Sequence, residues 1–343
     1  MSEIFIHKAP FTLESGKTLP EYHLAYHTFG KLNREKNNAV WVFHALTANS
    51  NPVEWWSGLI GDGKFFNPEN YFIVCVNIPG SCYGSLSPFD INSETGTPFY
   101  HDFPMFTPRD MIRAFQPLRR HLGIEKIKVG IGGSLGGQQL LEWAVEEPEL
   151  FEHIVPIATN ALQSAWAIAF NATQRMCIDL DPSWKEKNSA SGINGMKIAR
   201  AMALLSYRHY DTYVNAQTGT TEETKNQPID KKQYKADTYQ QYQGEKLAKR
   251  FNAISYYILT KSMDAHNVGR GRESTAAALK KIKAKTLIIG ISSDVLFPPC
   301  EQDYLTQHIH NAALNIIDSF YGHDGFLLEF EKIEHLLKNF IQV

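Results

Sequence analysis

Ser134 sits in Gly132-Gly133-Ser134-Leu135-Gly136, a G-x-S-x-G pattern inside the longer run KVGIGGSLGGQQLLEWA. A serine hydroxyl is a poor nucleophile until a positioned base takes its proton. The pattern therefore carries chemistry only if a base, and an acid to orient it, stand elsewhere in the chain. A strand before the serine and a helix after it would hold Oγ at the top of a sheet, and KVGI followed by GGQQLLEWAVEE reads that way. The pattern alone is weak, because chance supplies it in roughly one chain in ten of this length. A tight glycine-rich turn holding a phosphate at a helix N-terminus competes with it.

In this strand–turn–helix setting the partners follow the serine in the order acid, then histidine. TLIIGISSDVLFPP places Asp294 just after a late strand, although an Asp beside Pro298 and Pro299 is also an ordinary turn residue. LNIIDSFYGHDGFLLEF places His323 in a loop after the last strand, and of thirteen histidines it alone meets both the order and the loop requirement. His323 would take the Ser134 proton, and Asp294 would fix the imidazole tautomer and stabilise its cation. Two N–H donors are needed for the oxyanion. The backbone of Leu135 is one, and that of Leu46, in VFHALTANS after an early strand, is the other.

The elements that must position these groups are visible as apolar runs. VWVF (40–43), YFIVCVNI (71–78), KVGI (128–131), HIVPIA (153–158), TLIIGI (286–291) and LNIID (314–318) read as buried strands, and near-continuous apolar strands imply a mainly parallel sheet covered on both faces. TPRDMIRAFQPLRRHLG reads as a helix with Thr107 as N-cap, Pro108 first, Asp110 completing a capping box and Gly123 as the stop. Alternating strands and helices predict an α/β doubly wound sheet. FTLESGKTLPEYHLAYHTFG reads as an antiparallel hairpin at its edge.

From about 163 to 280 no strong strand appears. GMKIARAMALLSYRHY and EKLAKRFNAISYYILTKSMDAH have helical spacing, and the polar segment between them, 217–243, reads as a solvated connector. The predicted organisation is a sheet core of 1–162 and 281–343, interrupted by a helical insertion at 163–280.

Composition excludes several classes. The net charge of −2 with scattered Lys and Arg gives no electrostatic reason for a nucleic-acid or anionic-membrane partner. No apolar run approaches the roughly 18 residues of a membrane span, and MSEIFIHKAPFTLES lacks the charged and apolar regions of a secretory signal. Cys75, Cys82, Cys177 and Cys300 lie far apart, so no metal is predicted, and reduced thiols in a cytoplasmic protein are expected.

Longer stretches carry a resemblance. FTLESGKTLPEYHLAYHTFGKLN, HALTANS, NPENYFIVCVNIPGSCYGSLSP, GGSLGGQQLLEWA, DPSW, ARAMALLSYR, YQGEKLAKRFNAISYYILTKSMD and GHDGFLLE follow one another in the order seen in the homoserine O-acetyltransferases, which are enzymes of the α/β-hydrolase fold. The chain resembles that family over most of its length. The resemblance implies ping-pong transfer of an acetyl group from acetyl-CoA, as co-substrate and without a further cofactor, to the hydroxyl of L-homoserine on the way to methionine. It implies an acyl-Ser134 intermediate, a triad of Ser134, Asp294 and His323, and a helical lid that makes a homodimer contact. It also implies that Arg208 binds the homoserine carboxylate and Asp324 its ammonium. His209 in SYRHY, GSLSP, and Asn267 in MDAHNVG depart from the family pattern.

Two other readings share the triad. Related enzymes use succinyl-CoA or serine, and an esterase needs only water as acceptor. An esterase would need neither Arg208 nor Asp324 as an amino-acid anchor. A non-catalytic binding protein on the same fold would have no reason to keep Ser134, Asp294 and His323 together.

Overall fold

Five strands are apolar almost end to end because they are covered from both sides. β3 (Ala39–Phe43), β4 (Phe72–Val76), β5 (Ile127–Gly133), β6 (Phe151–Ile157) and β7 (Lys285–Ile291) form the parallel centre of an eight-stranded sheet in the computed structural model, which describes residues 2–341. β1 (Glu3–His7), β2 (Tyr22–Phe29) and β8 (Ala312–Ile317) complete it in the order β1-β2-β4-β3-β5-β6-β7-β8. Alternate residues of one strand serve opposite faces. Trp41 and Phe43 pack with Phe115 and Trp143 on one side, while Val40 and Val42 join Ile333 and Leu337 on the other. Each such side chain, fully buried, contributes roughly 1.5–3 kcal/mol.

Two helices cover the first face. α1 (Pro108–His121) starts on the capping box read from the sequence, with Thr107 Oγ1 accepting from Asp110 N at 3.1 Å and Asp110 Oδ2 from Thr107 N at 3.0 Å. It packs on α2 (Leu135–Glu146), the helix that follows Ser134.

The N-terminal hairpin differs from expectation. β2 does reach the antiparallel edge, with Tyr26 opposite Val76, but its hairpin partner is β1, with Glu3 opposite Tyr26. Phe11–Thr12 and Thr18–Leu19 pair only with each other, around a turn in which Gly16 has φ +84°. Pro20 has no N–H to continue that ladder, so the register restarts at Tyr22. LNIID differs too: β8 closes the other edge, and its Ile316 is exposed instead of buried.

Between β6 and β7 the chain is helical: α3 (Ala165–Asp179), α4 (Ile193–Tyr207), α5 (Tyr210–Gln217), α6 (Lys235–Ala248), α7 (Ala253–Asp264) and α8 (Thr275–Leu279). α3 packs on α4 and α7, and α4 on α6, whereas α8 packs on α2 and on α9 (Pro299–His308). The stretch read as one helix over EKLAKRFNAISYYILTKSMDAH is two, because Asn252 caps α7 by accepting from Ser255 N at 2.7 Å. Part of the supposed connector 217–243 is α6, which begins at Lys235. Only Gly244 and Leu247 of that helix are buried, so its polar face gives no amphipathic signal.

Candidate active site

Ser134 lies between β5 and α2 with φ +57° and ψ −126°, a conformation that costs a non-glycine residue free energy and persists only when its surroundings impose it. The surroundings are close. A Cβ on Gly136 would strike the Phe43 carbonyl oxygen, and one on Gly132 would lie 2.7 Å from the Gly136 carbonyl. The glycines therefore let α2 start directly against β3 and β5. Two side chains then hold the turn from behind. Thr159 Oγ1 donates to the Ser134 carbonyl at 2.9 Å, and Gln302 Nε2 donates to the Thr159 carbonyl at 2.7 Å. Neither was legible in the sequence. Thr159 follows β6, the strand beside β5, and Gln302 lies in α9, beyond the Asp294 loop.

Asp294 is in the loop after β7 and His323 in the loop after β8. His323 Nδ1 is 2.6 Å from Asp294 Oδ2, while Asp294 Oδ1 accepts from the N–H groups of Leu296 and Phe297 at 2.8 and 2.9 Å. Asp294 is thus a turn residue and the histidine's partner at once. Burial disfavours charge on His323, but the Asp294 carboxylate, its hydrogen bond and the nearby Asp324 outweigh it and raise the imidazole above its ordinary value. Nδ1 being engaged, Nε2 is the nitrogen left for the serine. The rings of Phe297, Phe326 and Tyr207, with centroids 5.3, 5.3 and 5.8 Å away, wedge the imidazole in place.

Ser134 and His323 line one cavity of about 580 Å³, together with Leu46, Arg208 and Asp324. The described residues show no hydrogen bond between Ser134 Oγ and His323, and such bonds often tighten only around a substrate. The first intrahelical bond of α2 runs from Gln138 N to the Ser134 carbonyl at 3.1 Å, so the N–H of Leu135, at the helix N-terminus, has no intrahelical acceptor. The turn bearing Leu46 is held by buried His44, whose Nε2 accepts from Ile78 N at 3.1 Å and whose Nδ1 is 2.8 Å from the Ala45 carbonyl. Burial pushes His44 down to about 4, so it is neutral at physiological pH.

Arg208 ends α4, and its Nε lies 2.8 Å from Asp324 Oδ2. The N–H is not aimed at that oxygen, so this is an ion pair without a directed hydrogen bond. Burial and Asp294 raise the Asp324 carboxyl, with Arg208, Arg200 and His323 opposing them. Gly322, at φ +68°, lets the His323 loop touch the end of α4, since a Cβ there would be 2.9 Å from the Arg208 carbonyl carbon. The three departures lie outside the cavity wall, and in GSLSP the Ser87 N and Oγ donate to Asp90 Oδ2 at 2.7 and 2.8 Å. His209 Nδ1 accepts from Asp211 N at 3.4 Å, and Asn267 Oδ1 accepts from Gly269 N at 2.7 Å.

A family profile described as alpha/beta hydrolase fold matches residues 38–330. The homoserine O-acetyltransferase of Cyclobacterium marinum is 48% identical over 98% of this chain and 94% of its own. The chain belongs to the homoserine O-acetyltransferase family. A crystal structure of homoserine O-acetyltransferase from Bacillus anthracis superposes with a TM-score of 0.91 at 25% identity, covering 100% of this chain and 98% of that one. The esterase E22, at 21% identity and a TM-score of 0.88 over 99% of this chain and 100% of its own, shares the fold. Fold alone therefore does not separate a homoserine O-acetyltransferase from an esterase.

Proposed function

We propose that the protein transfers an acetyl group from acetyl-CoA to the hydroxyl of L-homoserine, a step towards methionine, through an acyl-Ser134 intermediate. The observation that carries this reading is the Arg208–Asp324 ion pair in the same cavity as Ser134 and His323. An arginine fork suits a carboxylate and a carboxylate suits an ammonium. The pair is complementary to the two charged groups of an amino acid, and a simple ester has neither group.

In the first half-reaction His323 Nε2 takes the Ser134 proton as Oγ attacks the thioester carbonyl. The N–H groups of Leu46 and Leu135 receive the oxyanion, the C–S bond breaks, and the thiol leaves with the proton from His323. In the second half, homoserine exchanges into the Arg208–Asp324 pair, its carboxylate on Arg208 and its ammonium on Asp324. His323 takes the acceptor hydroxyl's proton, the acceptor oxygen attacks the acyl carbonyl, and the proton returns to Ser134 Oγ. Helices α3–α7 act as the lid that keeps water from competing with the bound acceptor. Among the described residues no group of three or more His, Cys, Asp or Glu is placed to hold a metal ion.

Following free thiol after mixing protein, acyl-CoA and acceptor tests the reading. Release that depends on homoserine supports transfer, and release that ignores any acceptor marks a hydrolase. Parallel arms with succinyl-CoA and with serine assign donor and acceptor. No release from either donor overturns the proposal.

His323 must be neutral to act as base, so kcat/KM is expected to be lost as pH falls through its pKa. Because Asp294 and Asp324 raise that pKa, the acid limb should lie above the ordinary histidine value of 6.5. Asp294→Asn removes the stabilising charge, and its residual activity should show the limb at lower pH. A limb that stays in place excludes His323 as the titrating group.

We further propose a homodimer joined through the helical insertion in the cytoplasm. Leu180, Ile198, Leu205 and Tyr210 leave apolar surface exposed there, at 83, 56, 52 and 73%. Among the described residues no helix is long and apolar enough to cross a membrane. Sedimentation should find a dimer, and Leu180→Lys with Ile198→Lys should convert it to monomer. A monomeric wild type refutes the interface.

A further inference from the structure

Four cations line the active-site cavity, and only Arg208 is paired with a carboxylate among the described residues. Arg200, Lys246 and Arg250 form no salt bridge of their own among the described residues: the charge of Arg200 reaches Asp324, which Arg208 already holds, and the cavity's other carboxylate, Glu54, accepts from Asn51 Nδ2 at 2.8 Å. Two of these come from one face: Gln243, Lys246, Leu247 and Arg250, spaced as successive turns of α6 and its end, all line the cavity. The same helix neutralises a different lysine, with Glu245 2.8 Å from Lys197, so the missing partner is local to the cavity wall.

Arg250 is held in place without losing its charge. Its Nη1 donates to the Thr47 carbonyl at 2.5 Å and to the Tyr83 hydroxyl at 2.7 Å, both neutral acceptors. Thr47 follows Leu46, so this guanidinium is fixed to the turn beside the reaction centre. Lys246 and Arg250 are exposed, whereas Ser134 and His323 are buried. The cavity thus runs from a buried reaction centre to a cationic mouth. Arg208 already serves the acceptor carboxylate at the buried end, beside His323 and Asp324. A small amino acid has no second anion for the mouth, and an uncharged ester has none at all. Arginine as a fork and lysine as a point charge are the usual recognition groups for phosphate.

We propose that Lys246 and Arg250 form a phosphate-binding subsite at the cavity mouth that takes the phosphate-bearing nucleotide end of an acyl-coenzyme A donor. This rests on the acyl-transfer reading above and adds to it where the donor's far end binds. The donor then enters with its thioester towards Ser134 and its nucleotide held at the rim of the lid.

The test compares acetyl-CoA with S-acetylpantetheine, which carries the same thioester and no phosphate, in the wild type, Lys246→Gln, Arg250→Gln and Arg250→Lys. The wild type should prefer acetyl-CoA. Each neutral variant should lower the acetyl-CoA to acetylpantetheine ratio of kcat/KM by about ten-fold, the scale of one charged hydrogen bond. The loss should appear in KM for acetyl-CoA and leave KM for homoserine in place. Arg250→Lys keeps the charge and loses the hold on Thr47, so it should retain most of the ratio. A ratio that stays at the wild-type value in Arg250→Gln while both donors slow alike would mean that Arg250 only braces the turn, and would overturn its assignment. A 3′-dephospho-coenzyme A thioester tells the 3′-phosphate from the pyrophosphate: loss of the preference with it assigns the former, retention the latter. An unchanged ratio in both neutral variants overturns the subsite while leaving acyl transfer standing. A wild type that transfers from no acyl-CoA overturns the acyl-transfer reading itself.

Discussion

Ser134→Ala should abolish acyl transfer, with a loss of at least about ten-thousand-fold in kcat, because removing the nucleophile of a triad disables the whole unit. Stability should hardly change. The side chain is small, and the elbow is imposed by its neighbours: the Thr159 bond to the Ser134 carbonyl, the bond from Ser134 N to the Ile157 carbonyl at 3.0 Å, and the approach of Gly136 to Phe43. Mass spectrometry after mixing with acetyl-CoA alone should show an acetyl group on the wild type and none on the variant. A variant that still turns over at a tenth of the wild-type rate would show that Ser134 is not the nucleophile. A wild type that never carries the acetyl group under rapid quench would point to direct transfer between bound substrates, with Ser134 in another role.

That prediction rests on residues the sequence shows well. A nucleophile elbow is a local event, fixed by small residues within a few positions of the serine, so it leaves a local pattern. Asp294 and His323 are far away in the chain, yet each follows a buried strand, and strand ends on one side of a parallel sheet converge. Chain order was therefore enough to expect them together, and the structure pairs His323 with Asp294 at 2.6 Å. The groups that brace the site had no such signal. Gln302 meets Thr159, just past the end of β6, only because α9 packs on the neighbouring β7 and β8, and no periodicity in either segment records that. The pairing of β1 with β2 was hidden for a related reason. Three of the five residues of β1 are exposed and none is buried, so its alternation is shallow. The part of α6 from Lys235 to Gln243 was missed because a helix that buries two residues looks, in sequence, like a solvated loop.

Arg208 and Asp324 came from family resemblance, and their placement makes the acceptor the more searching test. Asp324→Asn and Arg208→Lys should each cut kcat/KM for homoserine by roughly 100-fold or more, the usual cost of truncating one member of a hydrogen-bonded charge pair in a binding site. The partition of the acyl-enzyme should move with it. With the acceptor poorly held, water takes a larger share, so thiol release in the presence of homoserine should outrun O-acetylhomoserine formation. The two variants should also differ in a way a general structural defect would not produce. Asp324 helps to raise the His323 pKa and Arg208 does not, so Asp324→Asn should move the acid limb to lower pH while Arg208→Lys leaves it in place. The lysine keeps the charge and loses the planar fork, so its loss should appear chiefly in KM. If both variants acylate homoserine with unchanged KM and unchanged partition, the ion pair only joins α4 to the His323 loop. Selection of an amino acid over water would then have to come from elsewhere in the cavity.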